Sequence, residues 1–129
     1  MSYARVAIIG LGLLGGSIGL AVKEHLPDVA TTGWDRDPDT RARAAKRGLV
    51  GTVCETGAAA VADADLVIFC VPVGAIGEVA AALAEAIPAN AVISDVGSSK
   101  QSVATALAEA LPGRSVIPAH PVAGTERSG

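Results

Sequence analysis

The sequence predicts an α/β domain: a doubly wound, mostly parallel sheet with helices on both faces. Three observations predict it. Strand and helix signals alternate along all 129 residues, which implies right-handed βαβ crossovers. The strand signals are short continuous aliphatic runs, as expected for strands buried on both faces. Half the residues are hydrophobic, and the chain has only one Phe, one Trp and one Tyr. That leaves Ala, Val, Leu and Ile to pack closely between sheet and helices.

Val6-Ala-Ile-Ile-Gly10 reads as the first strand, a buried aliphatic run ended by glycine. Leu14 to about Glu24 follows as a helix, and Val29 to Asp35 as the second strand. Asp37-Pro38 opens a polar, basic helix, with proline in its first turn and Gly48 as its C-cap. A weak strand over Gly51–Cys54 and a short helix over Glu55–Val61 come next. Asp65–Val71 is the clearest central strand, stopped by Pro72. An Ala-rich helix spans about Gly74–Ala86, followed by a strand at Ala91–Ser94. Lys100–Leu111 is the last helix, closed by Pro112-Gly113, and Ser115-Val-Ile-Pro118 the last strand.

Composition excludes several classes. The scarcity of aromatics leaves no stacking platform for nucleic-acid bases. A formal charge of −3 also speaks against a phosphate-backbone partner. No apolar run reaches the ~18 residues of a membrane span. The opening Met1-Ser-Tyr-Ala-Arg5 runs directly into a strand without a basic, then apolar, leader. Cys54 and Cys70 lack CxxC spacing, so they read as two buried, reduced thiols. These features together predict a cytoplasmic protein with no metal site.

Gly10-Leu-Gly12-Leu-Leu-Gly15 is a G-x-G-x-x-G. Alone it is a weak signal. Here it follows a strand, opens a helix, and has an acid, Asp35, ending the next strand 20 positions after Gly15. Gly10 permits the sharp exit from the strand, Gly12 lets a pyrophosphate reach the backbone, and Gly15 lets the helix pack on the sheet. The N–H groups of Leu13 and Leu14 are the expected phosphate donors. This is the fingerprint of a Rossmann-type dinucleotide site; the bland alternative is a tight turn. Asp35 should accept the adenosine ribose hydroxyls and repel a 2′-phosphate, favouring NAD over NADP. Arg36 complicates this, since it could pair with that phosphate, lie on the adenine or simply be solvated. Gly15-Gly-Ser17-Ile-Gly19 matches G-x-S-x-G, but Ser17 falls inside the helix instead of on the turn after the strand, so a hydrolase is excluded.

Ligands of open α/β sheets sit beyond the carboxyl ends of the strands. Val71-Pro72 should line the cofactor groove or else only make a turn. Asp95-Val-Gly-Ser-Ser-Lys100 brings two serines to another strand end, where Ser98 or Ser99 caps a helix, reaches a substrate, or the two divide these tasks. His120 follows the last strand beside Pro121. Imidazole suits the removal of a hydroxyl proton as hydride leaves the same carbon. A plain surface histidine is the competing reading, and for His25, on the first helix, it is the preferred one.

The run His120-Pro-Val-Ala-Gly-Thr-Glu-Arg-Ser-Gly129 resembles a signature of the prephenate/arogenate dehydrogenase family. Asp95–Lys100 and Val6–Ser17 resemble two further segments of it, in the same order. The resemblance implies NAD-dependent oxidative decarboxylation of prephenate or arogenate, in tyrosine biosynthesis. It implies His120 as the base on the ring hydroxyl and Ser98 as a hydrogen-bond partner near that hydroxyl and the nicotinamide. Thr125, Glu126 and Ser128 match positions lining the substrate pocket. Family members continue into an all-helical domain that supplies the dimer interface and basic residues for the substrate carboxylates. Residues 1–129 are therefore expected to be the dinucleotide-binding domain alone, weakly active or inactive by itself, of an enzyme that works as a homodimer. The alternatives are another Rossmann dehydrogenase of a small hydroxy acid and a non-catalytic NAD-binding module.

Overall fold

The computed structural model describes residues 3–96, 107 and 109–118. Its elements in chain order are β1 (Arg5–Ile9), α1 (Leu13–His25), β2 (Ala30–Trp34), α2 (Pro38–Arg47), β3 (Thr52–Val53), α3 (Gly57–Val61), β4 (Leu66–Phe69), α4 (Val73–Leu83), β5 (Val92–Asp95) and β6 (Ser115–Pro118). The strands form one sheet in the order β3-β2-β1-β4-β5-β6. Every pairing is parallel. The strand order reverses between β1 and β4, the point where such sheets open a crevice for ligands.

Strand alternation divides the core into two layers. Ala7 and Ile9 of β1, Val67 and Phe69 of β4 and Ile93 of β5 point to one face. There they meet Ala60 and Val61 of α3, Ile76, Val79, Ala80 and Leu83 of α4, and Leu107 and Leu111. Val6 and Ile8 point the other way, toward Leu11, Ile18, Ala44, Leu49 and Val50. Helices thus cover both faces, with α1 and α2 on one and α3 and α4 on the other. The buried residues of α1 are Gly15, Gly16 and Gly19. A Cβ on Gly19 would overlap the Leu49 carbonyl oxygen, and one on Gly16 would come within 2.9 Å of the Leu49 side chain. The small inner face of α1 lets this helix lie close to the chain beside it.

Most boundaries agree with expectation to within a residue or two. The Ala-rich helix is shorter than predicted, ending at Leu83 instead of Ala86. Residues 84–87 turn away, with the Ala86 and Ile87 N–H groups both donating to the Leu83 carbonyl. The guanidinium of Arg114 then donates to the carbonyls of Ala84, Ile87 and Pro88 at 2.9–3.0 Å. A distant side chain thus supplies the partners that further helix would have supplied. Both cysteines are free, as expected, but half-buried instead of buried. Most of the predicted Lys100–Leu111 helix lies outside the described residues. No helix among the described residues is long and apolar enough to cross a membrane.

Candidate functional site

The switch point between β1 and β4 opens into a cleft of about 440 Å³. Its walls include Gly10, Gly12, Leu14, Asp35, Arg36, Val71 and Pro72. Seven residues singled out from sequence, spread over three strand ends, are thereby brought to one place. Gly15 lies beneath the turn, where a Cβ would overlap the Gly10 carbonyl oxygen. Leu13 is 93% exposed and lines a separate groove between α1 and α2. Only its backbone N–H can serve the expected role.

The turn after β1 is built by hydrogen bonds from neighbouring strands. Gly10 donates to the Trp34 carbonyl at 2.7 Å and adopts φ +103, a conformation that side chains disfavour. The Leu11 N–H donates to Asp35 Oδ2 at 2.9 Å, and the Asp37 N–H to Asp35 Oδ1 at 2.9 Å. Asp35 therefore ties the glycine turn to the end of β2. Each carboxylate oxygen has a second lone pair, so the same group can also accept ligand hydroxyls.

Gly12 is the N-cap of α1, and no side chain caps that helix. Its first-turn N–H groups have no carbonyl one turn back to accept them. By contrast, Asp37 caps α2 and Thr56 caps α3. A Cβ on Gly12 would meet nothing within 4 Å. The fold itself therefore gives no steric reason for glycine here, whereas close approach of a ligand to the backbone does. Uncapped donors, the positive end of the helix dipole and open space fit a phosphate group. The Asp35 carboxylate stands beside them with lone pairs left for hydroxyl donors, and the residues present thus fit a nucleotide.

The opposite wall is apolar. Cys70, Val71 and Pro72 follow β4, with Val79 of α4 and Val96 after β5. Burial, then the charge of Asp95, pushes the Cys70 thiol up to about 12; burial also raises Cys54. Both thiols are thus protonated and poorly nucleophilic near neutral pH. Trp34, Cys70, Val79 and Val96 were not assigned to the cleft from sequence. Trp34 and Cys70 adjoin residues that were, and Val96 lies in the Asp95–Lys100 segment placed at a strand end, which was the available signal; Val79 reaches the cleft only through the packing of α4. Ser17 sits within α1, its hydroxyl donating to the Leu13 carbonyl at 2.9 Å, far from a nucleophile elbow. His25 ends α1 with its side chain 73% exposed. Ser98, His120, Thr125, Glu126 and Ser128 lie outside the described residues.

Comparison with known proteins agrees with this geometry. Residues 18–129 match the family described as "Prephenate dehydrogenase, nucleotide-binding domain". The match begins after the glycine turn, so Gly10–Gly15 lie outside it, whereas Asp35, Val71 and Pro72 lie within it. The chain is 44% identical over 127 residues to the cyclohexadienyl dehydrogenase of Zymomonas mobilis, covering 98% of this chain and 43% of that protein. It is 33% identical to the prephenate dehydrogenase of Lactococcus lactis, covering 97% of this chain and 36% of that protein. A crystal structure of prephenate dehydrogenase from A. aeolicus, in complex with hydroxyphenyl propionate and NAD+, superposes with a TM-score of 0.82 at 30% identity. That superposition covers 100% of this chain and 45% of the other. The chain thus spans less than half the length of the relatives it matches. It belongs to the prephenate dehydrogenase family and carries that family's nucleotide-binding domain.

Proposed function

We propose that this chain binds NAD and forms the cofactor half of an enzyme that oxidatively decarboxylates prephenate, arogenate or both. The observation that carries the proposal is the uncapped N-terminus of α1, open above Gly12, with Asp35 beside it in the same cleft. Family membership supplies the reaction class.

In this reading the N–H groups of Leu13 and Leu14 hold the pyrophosphate, and Asp35 accepts the adenosine ribose hydroxyls. Val71 and Pro72 press on the cofactor from the β4 side and keep water from that face. A dinucleotide held by these residues would supply a nicotinamide able to accept hydride from the substrate carbon. His120 takes the proton of the ring hydroxyl, and Ser98 orients that hydroxyl by a hydrogen bond. Thr125, Glu126 and Ser128 border the substrate. The oxidised ring carbonyl is conjugated to the carbon that bears the carboxylate, so it can receive the electrons left as carbon dioxide departs. Aromatisation drives that step. The working enzyme in this reading is cytoplasmic and homodimeric.

Titration of the chain with NAD by calorimetry tests the cofactor half; saturable binding is expected, and none would refute it. Formation of NADH with prephenate or arogenate, measured on the enzyme of which this chain forms the cofactor half, tests the reaction. His120→Asn should lower turnover at least about a hundredfold, the scale of general-base catalysis, while NAD affinity holds. Near-normal turnover would remove His120 from its role.

A further inference from the structure

We infer that Glu78, on α4, is a specificity residue that keeps Arg36 from accepting a 2′-phosphate and so enforces NAD over NADP. The inference rests on the dinucleotide reading above. Arg36 Nη1 lies 3.8 Å from Glu78 Oε1, with both side chains largely exposed. Arg36 lines the cleft directly after Asp35, and Val79, next to Glu78, lines it from the other side. The pair therefore links the end of β2 to α4 beside the cleft. It joins two separate parts of the fold, whereas the His25–Glu24 pair lies within one helix.

The chemistry follows from charge. A ribose whose hydroxyls meet Asp35 carries its 2′ position toward the residues that follow β2. A 2′-phosphate there adds nearly two negative charges beside the Asp35 carboxylate. It needs a cation, and two guanidiniums are near. Arg41 Nη1 donates to the Asp35 carbonyl at 2.8 Å, a backbone partner it would have to leave. Arg36 is held by Glu78. A phosphate recruiting Arg36 must displace Glu78 and then tolerate its charge nearby. NAD has only a hydroxyl at that position and meets neither obstacle. Glu78 thus resolves the ambiguity that Arg36 creates in the sequence.

The test measures the NADP and NAD affinities of the wild-type chain and of Glu78→Gln. Because Glu78 is mostly solvent-exposed, the substitution should leave the fold intact, which melting curves verify. The ratio of NADP to NAD affinity should rise about two- to fivefold, the upper range of a surface charge interaction, and the gain should shrink as salt is raised. Adding Arg36→Gln to Glu78→Gln should return the ratio toward the wild-type value. A ratio that moves less than about twofold in Glu78→Gln, or a gain that survives loss of Arg36, overturns the inference while leaving the NAD site standing. A wild-type chain that binds neither dinucleotide overturns both.

Discussion

Two turns leave neighbouring strands at the carboxyl end of the sheet, and they are built as opposites. Gly10–Gly12 carries the chain from β1 into α1; Cys70–Pro72 carries it from β4 into α4. Neither helix has a side-chain cap. The first turn is glycine, braced by the Asp35 carboxylate, and presents bare N–H groups to the cleft. The second is apolar, with proline as the N-cap of α4. They touch, since a Cβ on Gly10 would lie 2.8 Å from the Cys70 carbonyl. The difference teaches that a ligand site at a switch point has two kinds of wall: one supplies donors and charge, the other shape and dryness.

Substitutions within the glycine turn should break this comparison most strongly. Gly15→Ala drives a Cβ into the Gly10 carbonyl, a backbone atom that cannot rotate aside. It should destabilise the domain by about 3 kcal/mol or more, or prevent folding, as chemical denaturation would reveal. Stability within about 0.5 kcal/mol of wild type would mean that α1 is free to shift. Gly12→Ala should do nearly the reverse, because its Cβ enters empty space. Its unfolding free energy should stay close to wild type while NAD affinity falls roughly tenfold to a hundredfold, about 1.4–2.7 kcal/mol. Undiminished NAD affinity would place the pyrophosphate elsewhere.

The same contrast explains what was legible in the sequence. The glycine turn could be read because each glycine has a local reason, and Asp35 because its spacing from Gly15 follows from one βαβ unit. Gly48 was legible for the same kind of reason: it is the left-handed C-cap of α2, at φ 64. Partners brought together from distant segments were not legible. No periodicity pairs Asp35 with the Leu11 N–H, Glu78 with Arg36, or Arg114 with the carbonyls after α4. The apolar wall was half-read, as Val71 and Pro72, because Val79 reaches the cleft only through the packing of α4. Gly16 and Gly19 were also missed, since their close neighbour Leu49 arrives from beyond α2.

The smallest prediction sharpens the apolar side. The Cys70 thiol is pushed up to about 12 by burial and by the charge of Asp95, whereas an unfolded chain ionises its thiol near about 8.5. Below that point both states hold the proton, and Cys70 adds no pH dependence. Between the two values the unfolded chain has released a proton that the folded chain keeps. Stability must therefore fall as pH rises, with a slope approaching about 1.4 kcal/mol per pH unit. Other groups titrate there too, so the useful quantity is the difference in unfolding free energy between wild type and Cys70→Ala. That difference should be constant from about pH 6 to about pH 8, then move against wild type by about 1 kcal/mol per unit above about pH 9. A flat difference would mean that water reaches the thiol, and that the wall beside the glycine turn is not dry. The expected slope would give the two walls their separate characters by measurement: donors on one, an uncharged and poorly solvated surface on the other.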